Sequence, residues 1–420
     1  MAEKSTSQQE VQVVFLPDEA SDYVPSGKGV TLLNLAAFLG QDGVDWRRIH
    51  STVDALAGSP EATGGKTVFN RGFSEVERGF VEQLKQGRVS LETCEQLKIA
   101  MAQYVGATKD HERKDWLATP HITPFRKVRD GNVLRYGNVE LRVIENYLIR
   151  RDELFSALEK IAGQTDEASM YKEAAFSSHL SADDPNWCLR RLMTNAGFYL
   201  SEDIEQAKKD LAEWCERYLE ALVSDTLVAN PVHFPFCFSI QHHLWTQDGQ
   251  TFDYCTYPGP FEFYEWLAGQ NVLFVSPLAR FVNEQVQSGN LWRLYKDYEM
   301  PEFALKAIEA PVSTWPNRPG GGWGESFEAL CKSIDAEFEA QPFDIFVASC
   351  GCYGLPVSRY VSQKHGCRAF YLGNMTNALF GVKQNSTANF MADRANADMW
   401  IRGDLSKFAN ISRIDGGRYV

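Results

Sequence analysis

The chain has 420 residues, 44% hydrophobic and 23% charged, with a formal net charge of −13, which is the composition of a globular protein with room for two or three domains. The acidic balance excludes a broadly basic nucleic-acid surface. No apolar run is long enough to span a bilayer and the first ten residues carry no signal-peptide core, so a cytoplasmic protein is expected; nine cysteines, an odd number over a long chain, suit reduced thiols.

Taken in order, residues 1–10 are polar, 11–16 alternate enough for a short strand, and 30–39, 46–56, 74–86 and 90–105 have helical spacing closed by Gly40, the Gly58-Ser59-Pro60 turn, Gly87 and Gly106. Gly64-Gly65-Lys66-Thr67 resembles the end of a phosphate-binding loop, but Pro60 stands where that motif needs glycine, and an ordinary turn is the better reading. A charged run over 108–116 looks like an exposed connector. The expectation is a mainly helical accessory module over 1–115, followed by an α/β domain over 116–420.

In the second part, turn residues at Gly131-Asn132 lead through Arg135 and Gly137 into a helix carrying Glu140. A helix amino terminus behind a glycine is a natural anion site, and a carboxylate there can accept hydrogen bonds or ligate a metal; a plain ion pair for Arg135 and a helix cap for Glu140 is the competing reading. Residues 204–222 form a long helix whose apolar positions, Leu211, Trp214, Tyr218 and Leu222 among them, recur at helical spacing and read as core. The aromatic stretch 230–257, with adjacent His242 and His243, reads as a loop roofing a core; adjacent histidines point apart and chelate poorly.

Residues 270–277 read as a buried parallel strand, with Ser276 at its carboxyl end and Arg280 in the first turn of the helix that follows, where a phosphate would sit. A strand at 303–307, a flexible glycine loop at 319–324 and a helix at 325–338 come next. Then strand 343–349, the turn Cys350-Gly351-Cys352-Tyr353-Gly354, a helix to His365, strand 369–372 and the loop Gly373-Asn374-Met375-Thr376 make a βαβ unit. Ligands of such sheets lie at the carboxyl ends of the strands, and Gly351 and Gly354 fit a loop whose backbone N–H groups approach phosphate. This crevice, with Tyr353 at its turn, is the candidate nucleotide site.

Ser349-Cys350-Gly351-Cys352-Tyr353-Gly354-Leu355-Pro356, Leu372-Gly373-Asn374-Met375-Thr376-Asn377, Arg135-Tyr136-Gly137-Asn138-Val139-Glu140 and Asn195-Ala196-Gly197-Phe198 together resemble the GT-D-type glycosyltransferase-like domain of bacterial polysaccharide clusters, over residues 117–420. The resemblance implies a Rossmann-like, mostly parallel α/β fold. It also implies transfer of a sugar from a nucleotide diphosphate sugar, a UDP-sugar being the first choice, to an acceptor hydroxyl. In that picture Glu140 is general base or ligand to Mg2+ or Mn2+, and Arg135 is its catalytic partner. Gly137, Ser276, Arg280, Gly351, Tyr353, Gly354, Gly373, Asn374 and Thr376 would hold the sugar nucleotide. The family's Asp-x-Glu metal pair is incomplete, because Asn138 stands two residues before Glu140. The acceptor stays open between a glycan, a protein, a small molecule and a modified nucleobase. The alternative is a nucleotide- or partner-binding protein of the same fold without activity.

Overall fold

The computed structural model describes residues 80–95, 97–98, 122–162, 167–172, 184–229 and 237–416. The chain divides into two compact units, Met1–Thr123 with Asn230–Thr251, and Pro124–Ala229 with Phe252–Val420. In the first unit, residues 80–85 and 91–95 are helical. Helix Phe238–Asp248 belongs with them: Phe80 and Phe238 meet at 4.7 Å between ring centroids, and His242 Nε2 is 3.0 Å from the Val89 carbonyl. The aromatic stretch expected as a loop roofing a core is thus in part a helix of the first unit, because its buried residues Phe238, Ile240 and Leu244 need an apolar partner. The elements expected at 11–16, 30–39 and 46–56, the turn at 64–67 and the connector at 108–116 lie outside the described residues, as do parts of the helices expected at 74–86 and 90–105.

The second unit is a Rossmann-like α/β fold built on a seven-stranded, all-parallel sheet. Its strands are β1 (Val133–Leu134), β2 (Thr226–Val228), β3 (Asp253–Cys255), β4 (Asn271–Ser276), β5 (Ala304–Glu309), β6 (Ile345–Ala348) and β7 (Arg368–Tyr371), in the spatial order β3-β2-β1-β7-β6-β4-β5. Between β1 and β2 lie α1 (Asn138–Ile149), α2 (Arg151–Ala162), α3 (Glu167–Lys172), α4 (Pro185–Arg191), a π-helical turn Leu192–Ala196, and the long α5 (Ile204–Ser224). The remaining crossovers carry α6 (Pro260–Leu267), α7 (Ala279–Gln287), α8 (Trp323–Ala340) and α9 (Gly354–His365). After β7 come α10 (Met375–Leu379) and a small parallel pair, β8 (Val382–Lys383) with β9 (Ile401–Arg402).

The strands expected from 270 onward are present. The three short ones, β1 to β3, went unread because two or three residues show no period. Alternation sorts the sheet's side chains. Val272, Phe274, Ile345, Val347 and Phe370 join one core with α6 and α7, while α5, α8 and α9 pack on one another against the opposite face. Since β4 feeds α7 and β6 feeds α9, neighbouring strands send their chains to opposite faces. The topological switch point therefore lies between β4 and β6. Among the described residues, no helix is long and apolar enough to cross a membrane, and all nine cysteines are buried thiols outside any disulfide.

At the opposite, amino edge, Asn132 ties three strands together. Its side chain accepts the Ala369 N–H (2.8 Å) and donates to Asp225 Oδ1 (2.8 Å), and its carbonyl accepts the Thr226 N–H (3.2 Å). Burial pushes the Asp225 carboxyl up to about 6, against the pull of Arg359 at 3.7 Å and the Asn132 amide. The folded state thus favours protonated Asp225. Its contribution to stability is full below the ordinary carboxylate range near pH 4 and is lost as pH rises to about 6, by about 3 kcal/mol in all. Asp225→Asn removes that titration. The melting temperature of wild type minus that of the variant should fall between pH 4 and 6 and level off above, as read by thermal unfolding across pH. A difference that ignores pH would show that Asp225 is not held this way.

Candidate functional site

The carboxyl edges of β1, β7, β6 and β4 gather most of the residues singled out from sequence. Arg135 is the first residue beyond β1, and its N–H extends the ladder to the Tyr371 carbonyl at 2.6 Å. Its guanidinium lies over Gly373, filling the space a side chain there would need; Gly373 itself has φ +72°. Gly137 caps α1 and donates its N–H to the Tyr218 hydroxyl at 3.2 Å. Glu140, in the first turn of α1 and 8% exposed, folds back so that its carboxylate covers Gly137. Any larger residue at 137 would push it away.

Electrostatics place these groups around one phenol. Tyr218 is 1% exposed, and its hydroxyl is pushed up first by burial and then by the Glu140 charge, while Arg135 pulls it down. The Cys352 thiol is likewise raised by burial and then by Glu140. The turn after β6 therefore comes close to the carboxylate. Tyr257, whose hydroxyl donates to the Leu372 carbonyl at 2.9 Å, is pushed up to about 12 by burial and lowered by Arg135. Arg135, Gly137, Glu140 and Gly373 thus form one group.

The turn after β6 is not an open cradle. Gly351, at φ +56°, packs on the Ala196 carbonyl, and the Tyr371 ring covers Gly354. Tyr371 also donates to the Gly351 carbonyl at 3.2 Å. Tyr353 points into the core, 1% exposed, with its hydroxyl 2.6 Å from Ser326 Oγ and its ring stacked on Trp323 at 5.8 Å. Both Cys350 and Cys352 are buried, and burial raises both thiols, opposite to the activation a helix amino terminus would give.

The switch point between β4 and β6 is filled as well. Ser276 Oγ donates to Asn377 Oδ1 (2.6 Å) and accepts the Leu278 N–H (3.1 Å). Asn377 donates to Ser349 Oγ (3.0 Å), which donates on to the Gly373 carbonyl (3.2 Å). Thr376 bonds the same carbonyl at 2.7 Å, and Asn374 donates to Ser386 Oγ at 2.6 Å. Ser276 and Thr376 are therefore spent on internal bonds. Arg280 stands apart from the group: it is exposed, lies over the Phe281 ring at 4.5 Å and donates to the Asp404 carbonyl at 3.1 Å.

Tyr218, Tyr371, Ser349 and Asn377 were not singled out from the sequence as site residues. The one available signal was a pair of polar-tipped aromatics, Trp214 and Tyr218, inside an apolar stripe. Both tips make bonds to loops at the strand ends, Trp214 Nε1 donating to the Cys352 carbonyl at 2.9 Å. A divalent cation does not fit around Glu140. Mg2+ and Mn2+ want several oxygen ligands, whereas this carboxylate shares its surroundings with the Arg135 cation and a thiol. Among the described residues no group of three or more His, Cys, Asp or Glu is placed to hold a metal.

The two left-handed glycines make a comparison of variants informative. Alanine costs about 1–2 kcal/mol at a left-handed position, but the neighbours differ: a backbone carbonyl at 351 and the end of a flexible arginine at 373. Gly351→Ala should therefore unfold at lower urea than Gly373→Ala, and the latter should displace Arg135. Equal midpoints would contradict this packing.

Compared with family models, with curated proteins and with solved structures, the chain finds no match.

Proposed function

We propose that the second unit is a sugar-nucleotide-dependent glycosyltransferase of the GT-D type, working at the β1–β7 edge of the sheet. The observation that carries this reading is the convergence of Arg135 and Glu140 on the Tyr218 hydroxyl beside Gly373, at the carboxyl edge where sheets of this kind bind ligands. The acceptor oxygen attacks the anomeric carbon of the donor sugar as the bond from that carbon to the diphosphate oxygen breaks. Glu140 takes the acceptor proton, and Arg135 neutralises the charge gathering on the diphosphate. Neither role uses a metal ion, and the Gly351–Gly354 turn acts as packed support.

A second reading is favoured by the incomplete acidic pair, Asn138 standing two residues before Glu140: a nucleotide- or partner-binding protein of the same fold without transfer activity. Nucleotide release from a panel of UDP-, GDP- and TDP-sugars separates the two. Transfer predicts release with at least one donor, unaffected by chelator. Glu140→Gln should lower turnover by about 10²–10⁴-fold, and Arg135→Ala by about 10²–10³-fold. Thermal stabilisation by nucleotide with no release from any donor would favour the second reading and reject the first.

A further inference from the structure

Past α10 the chain lays the small parallel pair β8–β9 beside α7, where Gln285 holds it by donating to the Gly381 (2.8 Å) and Met399 (2.7 Å) carbonyls. The register sets Val382 opposite Ile401 and Lys383 opposite Arg402. Alternation gives the two rows different surroundings. Val382 belongs to the core and Ile401 packs against it, whereas Lys383 is half-buried and Arg402 is exposed. Two cations thus stand side by side on the outer face, about 4.8 Å apart at the backbone, in a chain of net charge −13. Their side chains lean apart, as like charges in register do: Lys383 toward Trp400, and Arg402 toward Asn385, to whose Oδ1 it donates.

The protein does not neutralise Lys383. Among the described residues its ammonium makes no hydrogen bond and no ion pair; it lies over the Trp400 ring at 4.5 Å. Burial pushes it down from the usual lysine range, and no carboxylate offsets that shift. A ring face attracts an ammonium but offers its N–H groups no lone pair. Asp404, the acid that follows Arg402 most closely, is engaged elsewhere. Its Oδ1 accepts the Ser406 N–H (2.8 Å), and the cations that act on it are Arg280 and Lys407. On the other side, Asn385 leads to Ser386, whose hydroxyl accepts from Asn374 at 2.6 Å.

The charge selects the ligand. Two positive groups match the charge of about −1.5 to −2 on a phosphomonoester near pH 7, where a carboxylate would balance only one of them. Both cations form strong, charge-assisted hydrogen bonds to phosphate oxygens, and both side chains are long enough to close on one group between the strands. We propose that Lys383 and Arg402, on the outer face of β8–β9, form a binding site for a phosphate group, carried by a soluble ester or by a lipid headgroup. The site is distinct from the Arg135–Glu140 group and does not rest on the transferase reading.

The test is isothermal titration of the full chain with inorganic phosphate and with glucose 1-phosphate, together with co-sedimentation on phosphatidylcholine vesicles with and without phosphatidic acid. Affinity for a soluble phosphate, or sedimentation only with phosphatidic acid, supports the site and names its source. Lys383→Gln and Arg402→Gln should each weaken that binding about tenfold, Lys383→Arg should keep it, and added salt should reduce it. Without ligand, Lys383→Gln should melt as the wild type does. The proposal is overturned if no phosphate source binds, if acetate binds as tightly, or if affinity survives in both glutamine variants. Binding lost in Arg135→Ala but kept in Lys383→Gln would also overturn it, placing the anion at the β1–β7 edge and leaving the transferase reading standing. Lys383-dependent binding with no turnover of any sugar nucleotide would reject that reading and leave this site.

Discussion

One row of side chains on α5, Asp210, Trp214 and Tyr218, fastens three loops near the carboxyl edge of the sheet. Tyr218 accepts the Gly137 N–H of the loop after β1, Trp214 donates to the Cys352 carbonyl after β6, and Asp210 stands against Gly322 and Gly324 at the start of α8. Residues four apart on a helix face the same way, so a single straight element sets the spacing of loops that come from distant parts of the sequence. All three side chains are nearly inaccessible to solvent. A buried tip that lost its partner would leave an unpaired polar group, which costs more than the bond itself contributes. The loops are therefore held by necessity as well as by attraction.

The cluster at β1 and β7 is proposed as the site because the β6 turn and the switch point are occupied by the protein itself. The glycines of the β6 turn approach something closely, as glycines do, but what they approach is the protein: the Ala196 carbonyl and the Tyr371 ring. The switch point, where a doubly wound sheet usually leaves a crevice, is stitched shut by side chains from β4, β6 and α10. The two charged residues instead lie two strands over from the switch point, where Arg135 crosses Gly373 and Glu140 turns back on its own helix terminus.

Much of the sheet was legible because β4, β6 and β7 are continuous apolar runs closed by glycine or serine, which is how a strand buried on both faces must read. The helices α5, α8 and α9 carried their own period and caps. The strand β1 was not legible: Val133 and Leu134 are too few to show alternation, yet they place Arg135 and Glu140 at the sheet edge. Sequence drew attention to Arg135, Gly137, Glu140 and Gly373 through turn chemistry and helix-terminus electrostatics, which are local. Tyr353, expected at the crevice, lies in the core, and Arg280 stands apart on the surface, for a shared reason. Whether a side chain beside a glycine turns toward a crevice or into the core depends on neighbours such as Trp323, Ser326 and Asp404, which no spacing rule identifies.

The most direct check on this account is amide hydrogen exchange with and without UDP. If the ligand lies between β1 and β7, protection should rise over residues 136–141 and 373–377, with little change at 350–354. Protection confined to 350–354 or 276–280 would put the ligand back in the switch point and contradict the assignment to Arg135 and Glu140.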